Sequence, residues 1–189
     1  MKKELKEKIK ESIHIKNLIL EDDDLLKKFL DLVKGVKRTL KKGNKIILFG
    51  NGGSAAQAQH IACEFVVRFK KERQALPAIA LNTDTSILTA IGNDYSFDSI
   101  FERQIVAFGK KDDVCIGIST SGNSQNVIRA LKKAKEKGIL TAGFTGKDGG
   151  KMKKFCDILI KVPSDNTPRI QEVHILLGHL LCEFVEKDF

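Results

Sequence analysis

The chain has no tryptophan, one tyrosine, no CxxC pair, and no apolar run near the roughly 18 residues needed to span a bilayer. The missing apolar run excludes a membrane-spanning helix. The N-terminal stretch, residues 1–16, alternates charges with apolar residues and lacks the apolar core of a signal peptide, so the expected location is the cytoplasm. Cys63, Cys115, Cys156 and Cys182 lie far apart, each with apolar neighbours on at least one side. That spacing argues against a thiolate zinc site or disulfide framework, and for small buried hydrophobes. Internal repeats and low-complexity linkers are also absent. With 189 residues, 42% hydrophobic and 30% charged, the chain is expected to form one folded domain with a real core.

The formal charge of +9 invites a nucleic-acid reading, but its distribution does not support one. Residues 1–42 carry 13 basic and 8 acidic groups, more than half of the excess. No arginines interleave with aromatics in the manner that stacks on bases. Neither nucleic acid nor membrane is expected as a partner.

Two helices open the chain. Over residues 22–42, Leu25, Phe29, Val33, Val36 and Leu40 recur at three- and four-residue steps and share one face. Asp22, Asp23 and Asp24 suit the positive end of that helix, Lys41 and Lys42 the negative end, and Gly43 a left-handed stop. Residues 3–19 carry a narrower stripe of Leu5, Ile9, Ile13 and Leu18, which suits packing on a partner subunit or on the chain's own domain. From Lys45 the rhythm changes. Short apolar runs at 46–49, 78–81, 114–118, 139–144 and 158–162 read as buried parallel strands. Between them lie expected helices at 54–70, 85–108 (broken near Gly92), 124–137 and 150–155, and a last helix spans 167–187. This alternation predicts an α/β sandwich with right-handed crossovers: residues 1–43 as N-terminal helices and 44–189 as the sandwich.

Two Gly/Ser-rich loops each follow a strand and precede a helix: 50-GNGGS-54 and 119-STSGNS-124. Both put backbone amides and hydroxyls at a helix N-terminus, a natural seat for an anion. In the common strand order 2-1-3-4-5 these are the loops leaving strands 1 and 3, at the topological switch point where ligands bind. The first loop also matches G-x-G-x-x-A, but strand 2 ends on Asn82 without the acid a dinucleotide site wants. The hydroxyls of the second loop suit a monophosphate. The plain alternative is a turn with Ser124 as a helix N-cap.

Among the ionisable groups, His60 and Glu64 stand four apart, about 40° around a helix that starts at the first loop, and Arg68 continues the row. Such a pair suits acid–base work, metal ligation or a solvated surface. The last helix offers Gln171, Glu172, His174 and His179. Gln171 and His179 differ by about 80° and about 12 Å in rise, so they either lean together or serve separate sites. His174 lies about 140° from His179, which places the two in different environments.

The runs 50-GNGGSAAQAQHIACEF-65, 93-ND-94, 119-STSGNS-124 and 165-DNTPRIQEVHILLGH-179 together resemble the phosphoheptose isomerases of the SIS (sugar isomerase) family over almost the whole chain. The resemblance implies a single SIS domain, a flavodoxin-like α/β/α sandwich with a five-stranded parallel sheet, assembled as a homotetramer with active sites at subunit junctions. It implies interconversion of sedoheptulose 7-phosphate and D-glycero-D-manno-heptose 7-phosphate, on the route to lipopolysaccharide-core heptose. Glu64 and His179 would be the acid–base pair, in either assignment of roles. Ser119, Thr120, Ser121 and Ser124 would hold phosphate. Asn51, Gly52, Gly53, Ser54, Glu64, Arg68, Asn93, Asp94, Asp165 and Gln171 would complete the substrate site. Some members carry zinc on positions matched here by His60, Glu64, Gln171 and His179. The alternatives are a non-catalytic SIS protein, either a sugar-phosphate sensor or a factor binding the replication initiator, and a nucleotide-binding Rossmann protein.

Overall fold

Five runs of β-branched and apolar residues pair in parallel at the centre of the computed structural model, which describes residues 1–189. They are β1 (Ile46–Gly50), β2 (Ala78–Ala80), β3 (Val114–Ile118), β4 (Leu140–Thr145) and β5 (Ile158–Lys161), in the order β2-β1-β3-β4-β5. The expected strand order is therefore the observed one. β1 and β3 pair along their whole length, Ile46 with Val114 through Gly50 with Ile118, so the loops leaving them start side by side.

Seven helices cover the sheet: α1 (Lys2–Leu20), α2 (Asp23–Lys41), α3 (Gly53–Val66), α4 (Thr85–Asp94), α5 (Glu102–Phe108), α6 (Gln125–Glu136) and α7 (Thr167–Glu186). Alternation along the strands decides which layer each residue meets. Ile46, Leu48, Val114, Ile116 and Ile118 face a core shared with α1, α2, α3 and α7. Ile47, Phe49 and Cys115 face the other core, shared with α4, α5 and α6. The result is the three-layer α/β/α sandwich, with both sheet faces dry.

Several boundaries differ from the sequence reading for physical reasons. Asp22 is not inside α2 but caps it, its side chain accepting from the Leu25 N–H at 2.9 Å. α3 stops at Val66 rather than continuing to residue 70, so Arg68 lies beyond the helix and pairs with Glu72 at 3.6 Å instead of extending the His60–Glu64 row. The break expected near Gly92 falls just after it. α4 runs through Gly92 to Asp94, and the chain turns at Tyr95 and Ser96 into a short 3₁₀ segment, Phe97–Ser99, before α5. In α1 the sequence stripe is the exposed side: Leu5, Ile9 and Ile13 are about half exposed, while Ile15 and Ile19 pack inward. Cys115 and Cys182 are buried as expected, but Cys63 is exposed on α3.

Candidate active site

At the carboxyl edge of the sheet, the first loop is shaped by glycines. Gly52 has φ +53°, and a Cβ on Gly50 would lie 2.7 Å from the Ile118 carbonyl oxygen of the neighbouring strand. Only a chain without those methyls follows this path. Ser54 is buried at the head of α3. Asn51 is tied to Asn126 by a reciprocal amide pair, both bonds 2.9 Å, which locks the first loop to the start of α6. Asn82, at the end of β2, donates to the Gly50 carbonyl at 2.7 Å and fixes the loop from its other side.

The second loop is held as tightly. Its Ser119 and Ser124 hydroxyls share a 3.0 Å hydrogen bond, and Ser119 is buried. Ser124 occupies the N-cap position of α6, yet its side chain makes no capping bond. The plain N-cap reading thus does not describe its hydroxyl. Gly122, at φ +65°, lies so close to Gly149 and Gly150 that a Cβ there would overlap their backbone. The Met152 N–H donates to the Gly122 carbonyl at 2.9 Å, and the Lys151 N–H to Asn123 Oδ1 at 3.0 Å. Thr120 and Ser121 form one wall of a polar cleft of about 140 Å³, with Gly146, Lys147, Ser164 and Asp165 opposite.

The backbone N–H groups of Asn51, Gly52, Gly53, Thr120, Ser121 and Ser124 make no hydrogen bond within the chain. They stand at two adjacent helix N-termini, where unpaired donors and the helix dipoles add. An anionic oxygen is the ligand that this arrangement favours.

The ionisable residues gather further along α3, because α3 and α7 pack side by side and run parallel. Gly53 abuts the Gln171 amide, Ile61 abuts Gly178, and His60 meets His179. His60 Nε2 lies 2.8 Å from His179 Nε2 and 3.3 Å from Glu64 Oε1. One donor atom from each of the three lies within 4.8 Å of the others. Glu64 is mostly sheltered, with 22% of its side chain exposed, whereas His60 is open to solvent. The Phe69 ring stacks on His179, centroids 5.5 Å apart and planes 24° from parallel. Two imidazole nitrogens and a carboxylate oxygen form a donor set that a divalent transition metal can take up. Gln171, the fourth expected donor, sits instead against Gly53, about two helical turns ahead of His60. Its backbone carbonyl accepts from Gln57 at 2.7 Å. Within one chain the geometry serves separate positions for Gln171 and His179.

Other residues have plainer roles. His174 is fully buried, its Nε2 bonded to the Thr145 carbonyl at 3.2 Å, and burial holds its pKa down at about 4. It is a neutral core residue. Burial, then the nearby Glu64 carboxylate, hold the Cys182 thiol well above its usual range, so it is no thiolate. Asn93 and Asp94 end α4, exposed and bonded to each other at 2.9 Å. Arg68 is exposed outside the cluster. Sequence reasoning missed Asn126 and Phe69. Asn126 is read only through its pairing with Asn51, and Phe69 only once α3 is seen to end before it.

The roomier clefts lie away from these groups. One of about 530 Å³ runs beside Leu76–Ile79, and an apolar one of about 420 Å³ lies between α1, α2 and α7. No helix is long and apolar enough to cross a membrane.

Comparison with known proteins places these features in context. A SIS domain family model matches residues 13–146. The phosphoheptose isomerase of Clostridium acetobutylicum is 56% identical over 188 residues, covering 100% of this chain and 96% of that protein. That of Aquifex aeolicus is 55% identical over 99% of this chain and 97% of its own length. Among solved structures, the phosphoheptose isomerase of Neisseria gonorrhoeae superposes with a TM-score of 0.91 at 42% identity, with 98% of each chain covered.

Proposed function

The chain belongs to the phosphoheptose isomerases of the SIS-domain family, and from that membership we propose how its site works and where it acts. The reaction is the aldose–ketose isomerisation of sedoheptulose 7-phosphate to D-glycero-D-manno-heptose 7-phosphate. The single observation that carries the reading is the pairing of an amide- and hydroxyl-lined anion seat with a His–Glu–His cluster formed between the helix that starts from it and α7. Gly53 and His60 are separated by about 10 Å of helix rise. An extended seven-carbon sugar phosphate has the length to reach from one to the other.

The free amides of both loops and the Ser119–Ser124 hydroxyls hold the phosphate, with Asp165 and Gln171 at the edge of the sugar site. Isomerisation moves a proton between adjacent carbons through an enediol(ate). Glu64 takes the proton from the carbon beside the carbonyl and returns it to the neighbouring carbon. His179 gives a proton to the carbonyl oxygen and accepts one from the adjacent hydroxyl, so no proton is gained or lost overall. His60, in contact with both, holds the two groups in register. His60, Glu64 and His179 fit zinc, with Gln171 a further donor where a neighbouring chain brings it close, and when bound the ion supplies polarisation of the carbonyl.

The same reading places the enzyme in the cytoplasm, at an early step of heptose supply for lipopolysaccharide. It also makes the working form a homotetramer with active sites at subunit junctions. The exposed Leu5, Ile9 and Ile13 of α1, and the openness of His60, support that assembly. A non-catalytic SIS protein has no need of an acid–base cluster set at this distance from its anion seat.

The test is consumption of sedoheptulose 7-phosphate by purified wild type and Glu64→Gln, with and without chelator. Glu64→Gln keeps the shape and removes the base, so turnover should fall by about 10²-fold or more. Near-wild-type turnover in that variant would remove Glu64 from the chemistry.

A further inference from the structure

Beyond the end of α3 the chain makes a tight excursion, residues 67–74, around two buried charges of opposite sign. The side chains of Arg73 and Glu186 are 1% and 2% exposed, and Arg73 Nε lies 3.9 Å from Glu186 Oε2. Charges so far from water persist only where their remaining polar atoms are satisfied. Apart from Arg73 Nε, which makes no hydrogen bond and has only the ion-pair approach, each of these is spent on the backbone.

Arg73 Nη2 donates to the Glu64 carbonyl at 2.8 Å, and Nη1 donates to the Phe65 and Gln74 carbonyls, both at 2.9 Å. Glu64 and Phe65 belong to the last turn of α3, whose carbonyls have no partner further along the helix. The guanidinium thus takes the place of the turn that α3 lacks. From the other side, the Glu186 carboxylate accepts the Lys70 N–H at 3.1 and 3.2 Å and the Lys71 N–H at 3.3 Å. Lys70 adds a 2.8 Å contact from Nζ to Glu183. Between these stitches stands Phe69, its ring on the face of His179.

We propose that Arg73 and Glu186 are positioning residues for the isomerisation, acting through the backbone of Glu64 and through the Phe69 ring on His179. Neither touches the reacting atoms. The pair grips the last turn of the helix that carries Glu64, and it holds the segment that presses Phe69 against His179. A salt bridge serving stability alone has no reason to meet both members of the acid–base pair.

This inference rests on the isomerase reading, so the test includes a signal that does not need turnover. The protein has four histidines, which keeps its imidazole ring-proton NMR spectrum simple. Aromatic stacking displaces the His179 resonances, assigned by their loss in His179→Gln. Phe69→Leu and Arg73→Lys should both move those resonances. In each variant kcat should fall about tenfold while the KM for sedoheptulose 7-phosphate stays within twofold, because the phosphate seat is distant. Phe69→Tyr should restore most of the turnover lost in Phe69→Leu. The double variant Phe69→Leu/Arg73→Lys should be little slower than Arg73→Lys, since Arg73→Lys already loosens the Phe69–His179 contact. Unmoved His179 resonances in Phe69→Leu and Arg73→Lys, or wild-type kcat in either, would overturn the proposal. If Arg73→Lys does not fold, Phe69→Leu alone decides by the same criteria. A wild-type protein inactive on the sugar phosphate refutes the isomerase reading, while the resonances still report whether Arg73 holds Phe69 on His179.

Discussion

Gly178, one position before His179, lets α7 approach α3 closely. It is buried, and a Cβ built there would lie 2.5 Å from Ile61 Cδ1 and 2.7 Å from Ile61 Cγ1. Ordinary carbon–carbon separation is about 3.5–4.0 Å, so Gly178→Ala requires the two helices to part by about 1 Å or Ile61 to leave its rotamer. Two terms of opposite sign set the stability change. Alanine gains about 1 kcal/mol over glycine in a helix, while overpacking a core costs about 1–3 kcal/mol. The net loss is on the order of 1 kcal/mol, a fall in Tm of about 2–4 °C for a chain of this size. The activity change is expected to be larger. A displacement of about 1 Å between His179 and the His60–Glu64 pair costs about 10²-fold in kcat where the reacting geometry is strict. The assay is steady-state isomerisation of sedoheptulose 7-phosphate beside a thermal melt of each variant. Ile61→Ala removes both clashing atoms, so in the Gly178→Ala background it should recover turnover even though it opens space in the core. Ile61→Val leaves Cγ1 in place and should recover less. Gly178→Ala with wild-type kcat and wild-type Tm would refute the claim that α3–α7 spacing sets the catalytic geometry.

Two further predictions follow from the loops and the core. Ser124→Ala removes the partner of the Ser119 hydroxyl and a donor to phosphate, so KM should rise about tenfold or more with kcat little changed. An unchanged KM would put Ser124 outside the phosphate seat. His174 binds its proton at about 4 when folded and at about 6.5 when unfolded. Its folded pKa is depressed, so its contribution is fully present above about pH 6.5 and is lost as the pH falls toward about 4, on the order of 3 kcal/mol. In His174→Phe the melting temperature should therefore fall less steeply across that window than in the wild type. Parallel acid limbs in the two proteins would show that His174 does not titrate with unfolding.

The separation between what the residues declare and what the fold decides is sharpest around α3. Its start was legible, since a glycine-rich loop after a β-branched run is a local signal, and local signals survive in sequence. Its end was not. The run after Val66 holds no glycine or proline before Pro77 and remains helix-compatible, and what stops the helix is Arg73 taking the carbonyls of Glu64 and Phe65 from eight to nine residues away. The same holds for α1, where the regular Leu5–Ile9–Ile13 stripe was visible but its outward orientation was not. Periodicity defines a face, and only packing against α7 decides which face turns inward.

By itself the sequence determined the alternation of strands and helices, the two anion-seating loops and the His60–Glu64 row, because each depends on residues within a few positions of one another. Tertiary structure alone decided how His179 reaches that row, that Gln171 lies over Gly53, and that Asn126 braces Asn51. These contacts join residues 75 to 119 positions apart. Their geometry depends on how two parallel helices slide along each other, and on the small residue, Gly178, that lets them come close. A one-dimensional pattern carries no record of that distance.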